Sequence, residues 1–198
     1  MFTVGITGGI ATGKSLATDF FSAKDIDIID ADRISRSLQE PGQKGYEAIV
    51  KKFGAAVLSK DQTIIRSELR TLAFSNKDTK KWLEDLMHPM IGQKVLEGFE
   101  QAKSKWAIYS APLWSEENKF DRVMVIDAPR HQQIERIIKR DNSSLELAGQ
   151  IVDQQMHRHQ RIGFANDFLM NDSSTESFES RLDFYFKQIG RASCRERV

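Results

Sequence analysis

A glycine-rich segment close to the start of the chain is the feature that most constrains its fold. Before it, residues 2–7 alternate apolar with small or polar side chains, which predicts a strand; after it, residues 16–21 place apolar side chains on one helix face. The segment reads Gly8-Gly9-Ile10-Ala11-Thr12-Gly13-Lys14-Ser15. It fits the pattern G-x-x-x-x-G-K-[ST], in which backbone N–H groups and the helix N-terminus surround phosphate oxygens. We therefore predict a phosphate-binding loop.

The end of this segment carries the two side chains with chemical roles. Lys14 is expected to reach the β- and γ-phosphates of a nucleoside triphosphate, and the Ser15 hydroxyl is expected to bind Mg²⁺. The predicted nucleotide-binding residues of the loop are Gly8, Gly9, Ala11, Thr12, Gly13, Lys14, Ser15 and Leu16. The loop does not say whether the phosphoryl acceptor is water or a second molecule.

The charge composition excludes several kinds of partner. The 198 residues contain 29 Lys and Arg against 28 Asp and Glu, a formal net charge of +1. Such a chain has no global field that would hold it on nucleic acid or on an acidic membrane. No stretch reaches the roughly 20 apolar residues of a membrane-spanning helix, and the start lacks the pattern of a secretion signal. We predict a cytoplasmic monomer or weak homo-oligomer with a small-molecule substrate and no nucleic-acid or membrane partner.

Short apolar segments predict four further strands, at residues 26–30, 106–111, 123–127 and 168–170. Helical sequence separates these segments, and this alternation is typical of α/β proteins in which helices cover a parallel sheet. We therefore predict a three-layer α/β/α core with a parallel five-stranded sheet.

The segment between the second and third predicted strands has helical periodicity and is too long for a single crossover helix. We predict that residues 34–104 form a helical insertion, and that residues 1–33 and 105–188 form the core. Separate helices are expected on either side of Pro89, with His88 as a structural histidine that caps the break.

The last ten residues, 189–198, come after a segment with an amphipathic helical pattern and have no periodicity of their own, so we expect the helix to end before them. Their sequence, Ile-Gly-Arg-Ala-Ser-Cys-Arg-Glu-Arg-Val, resembles the in-frame translation of a short-read sequencing adapter. We therefore predict that this tail is non-native, and we leave it out of the fold prediction.

Two carboxylates, Asp30 and Asp32, follow the second predicted strand. Ligands of open α/β sheets bind outside the carboxyl ends of the strands, and alternate residues of a strand share a face. Both carboxylates are therefore expected to face the γ-phosphate, with Asp30 holding Mg²⁺ through water and Asp32 accepting a hydroxyl proton. The alternative for Asp30 is a helix N-cap, a position that Asp favours.

Arginines in the second half of the chain suggest a lid over the phosphates. Arg136 and Arg140 are four residues apart on a predicted helix, and Arg158 and Arg161 follow in a polar segment. Phosphoryl transfer requires cationic groups around the transferred phosphate, and closing a lid excludes water. We predict a lid at about residues 140–162; the alternative for each arginine is a solvated helix face.

Seven short motifs occur in order along the chain: Gly5-Ile6-Thr7-Gly8-Gly9-Ile10, Gly13-Lys14-Ser15, Asp30-Ala31-Asp32, His88-Pro89, Pro112-Leu113, Arg140-Asp141 and Asn171. In this order and spacing they resemble the pattern of the dephospho-CoA kinase family. The resemblance covers nearly all of residues 2–171. It implies a P-loop kinase that transfers the ATP γ-phosphate to the ribose 3′-hydroxyl of dephospho-CoA, the last step of coenzyme A synthesis.

The resemblance also implies roles for individual residues. By matching position, Asp32 is the base at the 3′-hydroxyl, Lys14 and its loop hold ATP, and Arg140 is a lid arginine on the phosphates or the adenine. The helical insertion corresponds to the coenzyme-A-binding domain of the family, and ATP and Mg²⁺ are the expected cofactors.

The chain departs from the family pattern at several positions. Ala11 and Thr12 replace a glycine and a serine of the loop, and Leu16 replaces a common threonine. ATP binding is expected to survive the loop changes, because the general motif varies at these two positions. A basic residue of the family is Gln150 here and an acidic one is Asn166, which predicts an altered lid contact and a slower reaction.

Two other nucleotide-binding classes are alternatives. A nucleoside or nucleotide monophosphate kinase would share the loop, the lid and the helical insertion, and would differ only in its acceptor. A GTPase-type switch protein would use Asn118-Lys119-Phe120-Asp121, which spells the guanine-reading N-K-x-D. That segment precedes a predicted strand instead of following one, and the switch motif D-x-x-G does not occur in the sequence.

Overall fold

The computed structural model describes residues 1–111 and 120–195, with side chains described as far as Ser193. In chain order the elements are β1 (Phe2–Gly8), α1 (Lys14–Ser22), β2 (Asp27–Asp30), α2 (Ala31–Ser37), α3 (Lys44–Phe53), a 3₁₀ helix (Gly54–Val57), α4 (Arg66–Ser75), α5 (Lys77–Gln101), β3 (Trp106–Ser110), β4 (Arg122–Asp127), α6 (Arg130–Asp141), α7 (Leu145–Asp153), α8 (Arg158–Gly163), β5 (Asp167–Met170) and α9 (Thr175–Arg195).

The chain divides into two compact units. The first contains Met1–Ile29 and Ala102–Val198, and the second contains Asp30–Gln101. The boundary therefore falls between Ile29 and Asp30, the last two residues of β2. The sequence predicts it a few residues later, between residues 33 and 34. As a result Asp30 and Asp32, which the sequence assigns to the core, belong to the second unit.

The strands form a five-stranded parallel sheet in the order β2-β3-β1-β4-β5, which confirms the predicted α/β fold. Within the central strand β1, Gly5 pairs with Tyr109 of β3 and with Val123 of β4. Because the strands are parallel, their carboxyl ends meet at one edge of the sheet. The residues that follow β1, β3 and β4 are thereby brought close together.

The core of the first unit lies between the sheet and helices α1 and α9. Val4 and Ile6 of β1 are fully buried there, as are Phe21 of α1 and Phe178 of α9. The Phe21 ring meets Trp106 edge-on, with ring centroids 5.6 Å apart. Burial of this apolar face provides most of the stability of such an α/β unit.

Helix α9 continues past residue 188 into the segment that we excluded from the fold prediction. Ile189 is 3% exposed and belongs to the core cluster, and Ser193 is 2% exposed. The expectation that the helical pattern ends before residue 189 is therefore wrong. That the last ten residues are non-native remains a prediction.

The second unit is built from helices α2 to α5 around a separate core, which includes Ile49, Val57 and Met87. Helix α5 runs without interruption through Pro89, so the prediction of two helices is wrong. Proline removes one backbone hydrogen bond and disfavours the helix, but the flanking Met87, Met90 and Ile91 all pack into this core. His88 is exposed in the middle of the helix, so it does not cap a break as predicted.

Candidate nucleotide-binding site

The loop between β1 and α1 makes two left-handed turns. Ala11 has φ 57° and Gly13 has φ 104°. Thr12 between them is fully buried, and its hydroxyl donates a hydrogen bond of 2.9 Å to the carbonyl oxygen of Gly9. Successive turns of this kind let backbone N–H groups converge on one point, which is how such loops bind anions. The left-handed conformations of Ala11 and Gly13 are compatible with an anion-binding loop.

Side chains from distant parts of the chain hold this loop from outside. The Asn171 amide donates to the carbonyl of Thr12 at 2.8 Å, and the Arg136 guanidinium donates to the carbonyl of Ala11 at 3.1 Å. Arg136 also donates to the carbonyl of Asn171 at 2.9 Å. These contacts give the carbonyls of Ala11 and Thr12 fixed hydrogen-bond donors from the second half of the chain.

Lys14 and Ser15 begin helix α1 immediately after the loop. The Lys14 ammonium donates to the hydroxyl of Ser110 at 3.4 Å, at the carboxyl end of β3. Ser15 is exposed in the first turn of the helix. A hydroxyl oxygen is a suitable ligand for Mg²⁺, which prefers oxygen donors and keeps several waters. The Ser15 hydroxyl oxygen is therefore a suitable ligand for a Mg²⁺ ion carried by a nucleotide.

Gly13 is the loop position that tolerates a side chain least. A Cβ atom there would collide with the amide nitrogen of Asn171, and the positive φ is unfavourable for any L side chain. We expect Gly13→Ala to lower the free energy of unfolding by about 2 kcal/mol or more, from left-handed strain and the lost Asn171 contact. Chemical denaturation measures this change. Gly92→Ala is the control, because a Cβ there meets no described atom within 4 Å; equal midpoints for the two variants would contradict the prediction.

Comparison with known proteins identifies the family. The family model for dephospho-CoA kinase matches residues 2–177. A dephospho-CoA kinase of Pseudoalteromonas translucida is 43% identical over 176 residues, covering 87% of this chain and 84% of that protein. The chain belongs to the dephospho-CoA kinase family. This is a family of ATP-dependent kinases, and the resemblance of the sequence motifs is thereby confirmed.

Solved structures agree with this assignment. A dephospho-CoA kinase from Campylobacter jejuni superposes with a TM-score of 0.70 at 28% identity, covering 96% of this chain and 98% of that chain. A protein from Thermus thermophilus superposes with a TM-score of 0.81 at 23% identity, covering 94% of this chain and 97% of that one. The second similarity concerns the fold alone.

Asp30 and Asp32 do not share a strand face as predicted. Strand β2 ends at Asp30 and helix α2 begins at Ala31, so Asp32 lies in the first helical turn, where it is exposed. The Asp30 carboxylate accepts a hydrogen bond of 2.9 Å from the Arg33 N–H, which makes Asp30 the N-cap of α2. Asp30 therefore has the alternative role of helix N-cap. The role of Asp32 as the base in this member of the dephospho-CoA kinase family remains a prediction.

The arginines predicted in the lid occupy different environments. Arg140 is exposed and makes two hydrogen bonds of 2.7 Å with the neighbouring Asp141 carboxylate, and the guanidinium lowers the pKa of Asp141. Arg136 contacts the loop directly, as described above. Arg161 lies beside Gly9 of the loop. Arg136 and Arg161 thus lie next to the loop, whereas the contacts described for Arg140 are with Asp141. The predicted contact of Arg140 with ATP remains a prediction.

Sequence reasoning did not single out three other residues near the loop. Gln155 accepts a hydrogen bond of 2.8 Å from the N–H of Ile10. Gln133 and Asp127 are buried at the carboxyl end of β4 and the start of α6. The strand prediction could have indicated Asp127, because it ends a parallel strand where ligands of such sheets bind. Nothing in the local pattern marks the two glutamines.

Two of the departures from the family pattern, Gln150 and Asn166, lie outside the loop in sequence. Gln150 is exposed on α7. Asn166 lies at the amino ends of β4 and β5, where its side chain accepts a hydrogen bond of 2.7 Å from the Val123 N–H. This end of the sheet is opposite to the end that carries the loop; the predicted effect of Asn166 on a lid contact remains a prediction.

Other predicted motifs fall partly outside the described residues. Pro112-Leu113 and the Asn118-Lys119 pair of the guanine-reading alternative lie outside residues 1–111 and 120–195. Asp121 is described, and its carboxylate accepts hydrogen bonds of 2.6 and 2.8 Å from the Thr3 backbone and hydroxyl at the start of β1. This position argues against guanine reading, since it is at the strand end far from the loop. No helix among the described residues is long and apolar enough to cross a membrane.

Proposed function

We propose that this chain transfers the γ-phosphoryl group of ATP to the ribose 3′-hydroxyl of dephospho-CoA, forming coenzyme A in the last step of its synthesis. The observation that supports this function is the family match over residues 2–177, which includes a complete phosphate-binding loop. The alternative acceptors, nucleosides and nucleoside monophosphates, have no observation in their favour.

The proposed reaction assigns a role to each part of the loop. The backbone N–H groups of residues 8–16 and the Lys14 ammonium bind the phosphates, and Lys14 stabilises the negative charge that develops during transfer. Ser15 would hold Mg²⁺, with Asp30 as a ligand through water, and this ion neutralises charge on the ATP phosphates. Asp30 keeps one carboxylate oxygen on the Arg33 N–H as the helix cap.

Asp32 is the proposed general base. Its exposed carboxylate accepts the proton of the ribose 3′-hydroxyl, the hydroxyl oxygen bonds to the γ-phosphorus, and the bond to the β,γ-bridging oxygen breaks to release ADP.

The remaining elements supply the acceptor site and the lid. We infer that the helical insertion, residues 34–104, binds dephospho-CoA, and that the segment around residues 140–162 closes over ATP with Arg140. A closed lid prevents hydrolysis of ATP by excluding water. We place the enzyme in the cytoplasm, as a monomer or weak homo-oligomer.

The acceptor is tested by measuring ADP release in the presence of MgATP. The full chain and a chain ending at residue 188 are each assayed with dephospho-CoA, adenosine, AMP and CMP. We expect turnover with dephospho-CoA and none above background with the other three. Faster turnover with a monophosphate would overturn the proposed substrate while leaving the loop chemistry in place.

A further inference from the structure

A buried carboxylate at the carboxyl end of β4 has no role in the proposed reaction. Asp127 is 1% exposed, and its Oδ2 atom accepts a hydrogen bond of 2.5 Å from Nε of Arg158 at the start of helix α8. Its Oδ1 atom has no hydrogen-bond partner among the described residues. Burying a carboxylate with one oxygen unpaired costs free energy. Such a group therefore calls for an explanation.

The contacts of Arg158 fix the start of α8 to the sheet. In addition to the ion pair with Asp127, its guanidinium lies 5.7 Å from the centre of the Phe168 ring of β5. One of its nitrogens also lies 3.7 Å from the sulfur of Met170 at the end of the same strand. Arg158 is half exposed, yet its head group is held by two neighbouring strands. The helix that begins at this residue is thereby tied to the carboxyl edge of the sheet.

Arg161 lies one turn further along α8, against the phosphate-binding loop. A Cβ atom on Gly9 would lie 3.1 Å from Nη2 of Arg161 and 3.2 Å from Oε1 of Gln133. Nε of Arg161 and Oε1 of Gln133 both lack hydrogen-bond partners among the described residues, and both atoms are buried. The side of the loop at Gly9 is therefore lined by buried polar atoms with unused hydrogen-bonding capacity.

The charges of this cluster depend on Asp127. Burial lowers the pKa of Arg161, the Asp127 carboxylate opposes that change, and the positive charge of Arg158 adds to it. Without the carboxylate, two guanidinium groups on one short helix would repel each other in a partly dehydrated place. Asp127 thus offsets this repulsion, and Arg161 can remain next to the loop.

We propose that Asp127 is a positioning residue for ATP: through Arg158 it fixes α8 to the end of β4 and so holds the Arg161 guanidinium beside Gly9, where the phosphates bind. This inference rests on the proposed binding of ATP by the loop, but not on the identity of the acceptor. The carboxylate itself does not touch the nucleotide. Its effect passes through the two arginines.

A competing explanation is that Asp127 weakens ATP binding instead of supporting it. A carboxylate near the loop repels phosphates, so its removal would strengthen ATP binding if positioning were unimportant. The two explanations predict opposite signs for the same substitution. The sign of the change in ATP affinity therefore decides between them.

The test compares ATP binding and steady-state kinetics for Asp127→Asn, Arg158→Gln and the double variant. The matched control is Asp167→Asn, which removes the carboxylate of another Arg–Asp pair in the same sheet. Arg122 makes two hydrogen bonds of 2.7 Å with Asp167 at the amino ends of β4 and β5, away from the loop. Thermal unfolding of each variant reports on stability, and binding is measured with MgATP alone, in the absence of any acceptor.

We expect each single variant to weaken ATP binding and to raise the KM for ATP about tenfold, with the KM for dephospho-CoA unchanged. The double variant should bind ATP no more weakly than either single variant, because both substitutions remove the same ion pair. Asp167→Asn should lower the unfolding temperature but leave ATP affinity within about twofold. Arg158→Gln changes a half-exposed side chain, so it keeps the test valid if Asp127→Asn does not fold.

Unchanged or tighter ATP binding in Asp127→Asn or, if that variant does not fold, in Arg158→Gln would overturn the proposal. So would a double variant whose loss is the product of the two single losses. Failure of the proposed function gives a different result: the wild-type chain would bind MgATP but release no ADP with dephospho-CoA. The binding comparison would still decide the role of Asp127 in that case.

Discussion

Replacing Lys14 by alanine is expected to lower kcat for ADP release by a factor of about 10²–10³, because a fixed cation opposite the transferred phosphate stabilises charge that develops in the transition state. The ammonium is held at the mouth of the loop by the Ser110 hydroxyl at 3.4 Å. Ser110 ends β3, and Lys14 begins α1 after the loop that follows β1. The effect should exceed the loss in ATP affinity, since binding in the ground state uses many backbone contacts as well.

Lys187→Ala serves as the control for this experiment. Lys187 is an exposed lysine of α9 that pairs with Asp183 at 2.6 Å, so its loss removes one positive charge outside the proposed site. Its kcat should stay close to that of the wild type. If Lys14→Ala kept kcat within about threefold of the control, the proposed role of Lys14 would be wrong.

Asp32→Asn is expected to lower kcat by a factor of about 10²–10⁴, the usual contribution of a general base. Asparagine has nearly the same size and shape but does not accept a proton at neutral pH. The affinity for ATP alone should be unchanged, because the proposed partner of this carboxylate is the acceptor hydroxyl. Single-turnover measurements with saturating dephospho-CoA separate the chemical step from binding.

A matched acid-to-amide substitution tests whether any loss of kcat is specific to position 32. Glu176 is an exposed acidic residue in the first turn of α9, as Asp32 is in the first turn of α2. Glu176→Gln therefore removes a carboxylate from a helix N-terminus outside the proposed site. Equal activity of the two variants would exclude Asp32 as the base, and a selective loss in Asp32→Asn would support it.

The strands could be predicted because each is a short apolar segment between helical sequences. The helix boundaries in the second unit were harder, since local signals there compete with tertiary packing. Pro89 suggested a break, yet α5 continues because Met87, Met90 and Ile91 on its successive turns all pack into one core. After β2 the helix starts at once at Ala31, so an argument from strand alternation did not apply to Asp32.

The site was predictable only where it is local in sequence. The loop is contiguous, and its motif fixes its chemistry. Its supports are not local: Asn171 is 159 residues from Thr12, and Gln155 is 145 residues from Ile10. A pattern search over neighbouring residues cannot pair such positions. Arg161 and Asp127 were missed as a cluster for the same reason, since only the fold brings α8 to the end of β4.

The bond from Asn171 to Thr12 also has a consequence for how the protein is made. The loop is synthesised before the donors that hold its carbonyls, Arg136 and Asn171, which lie far later in the sequence. Contacts between residues so distant in the chain form late in folding, since closing a long loop costs entropy. A growing chain that has not passed β5 therefore lacks the contacts that shape the loop, and nucleotide binding should emerge only after that strand has been made.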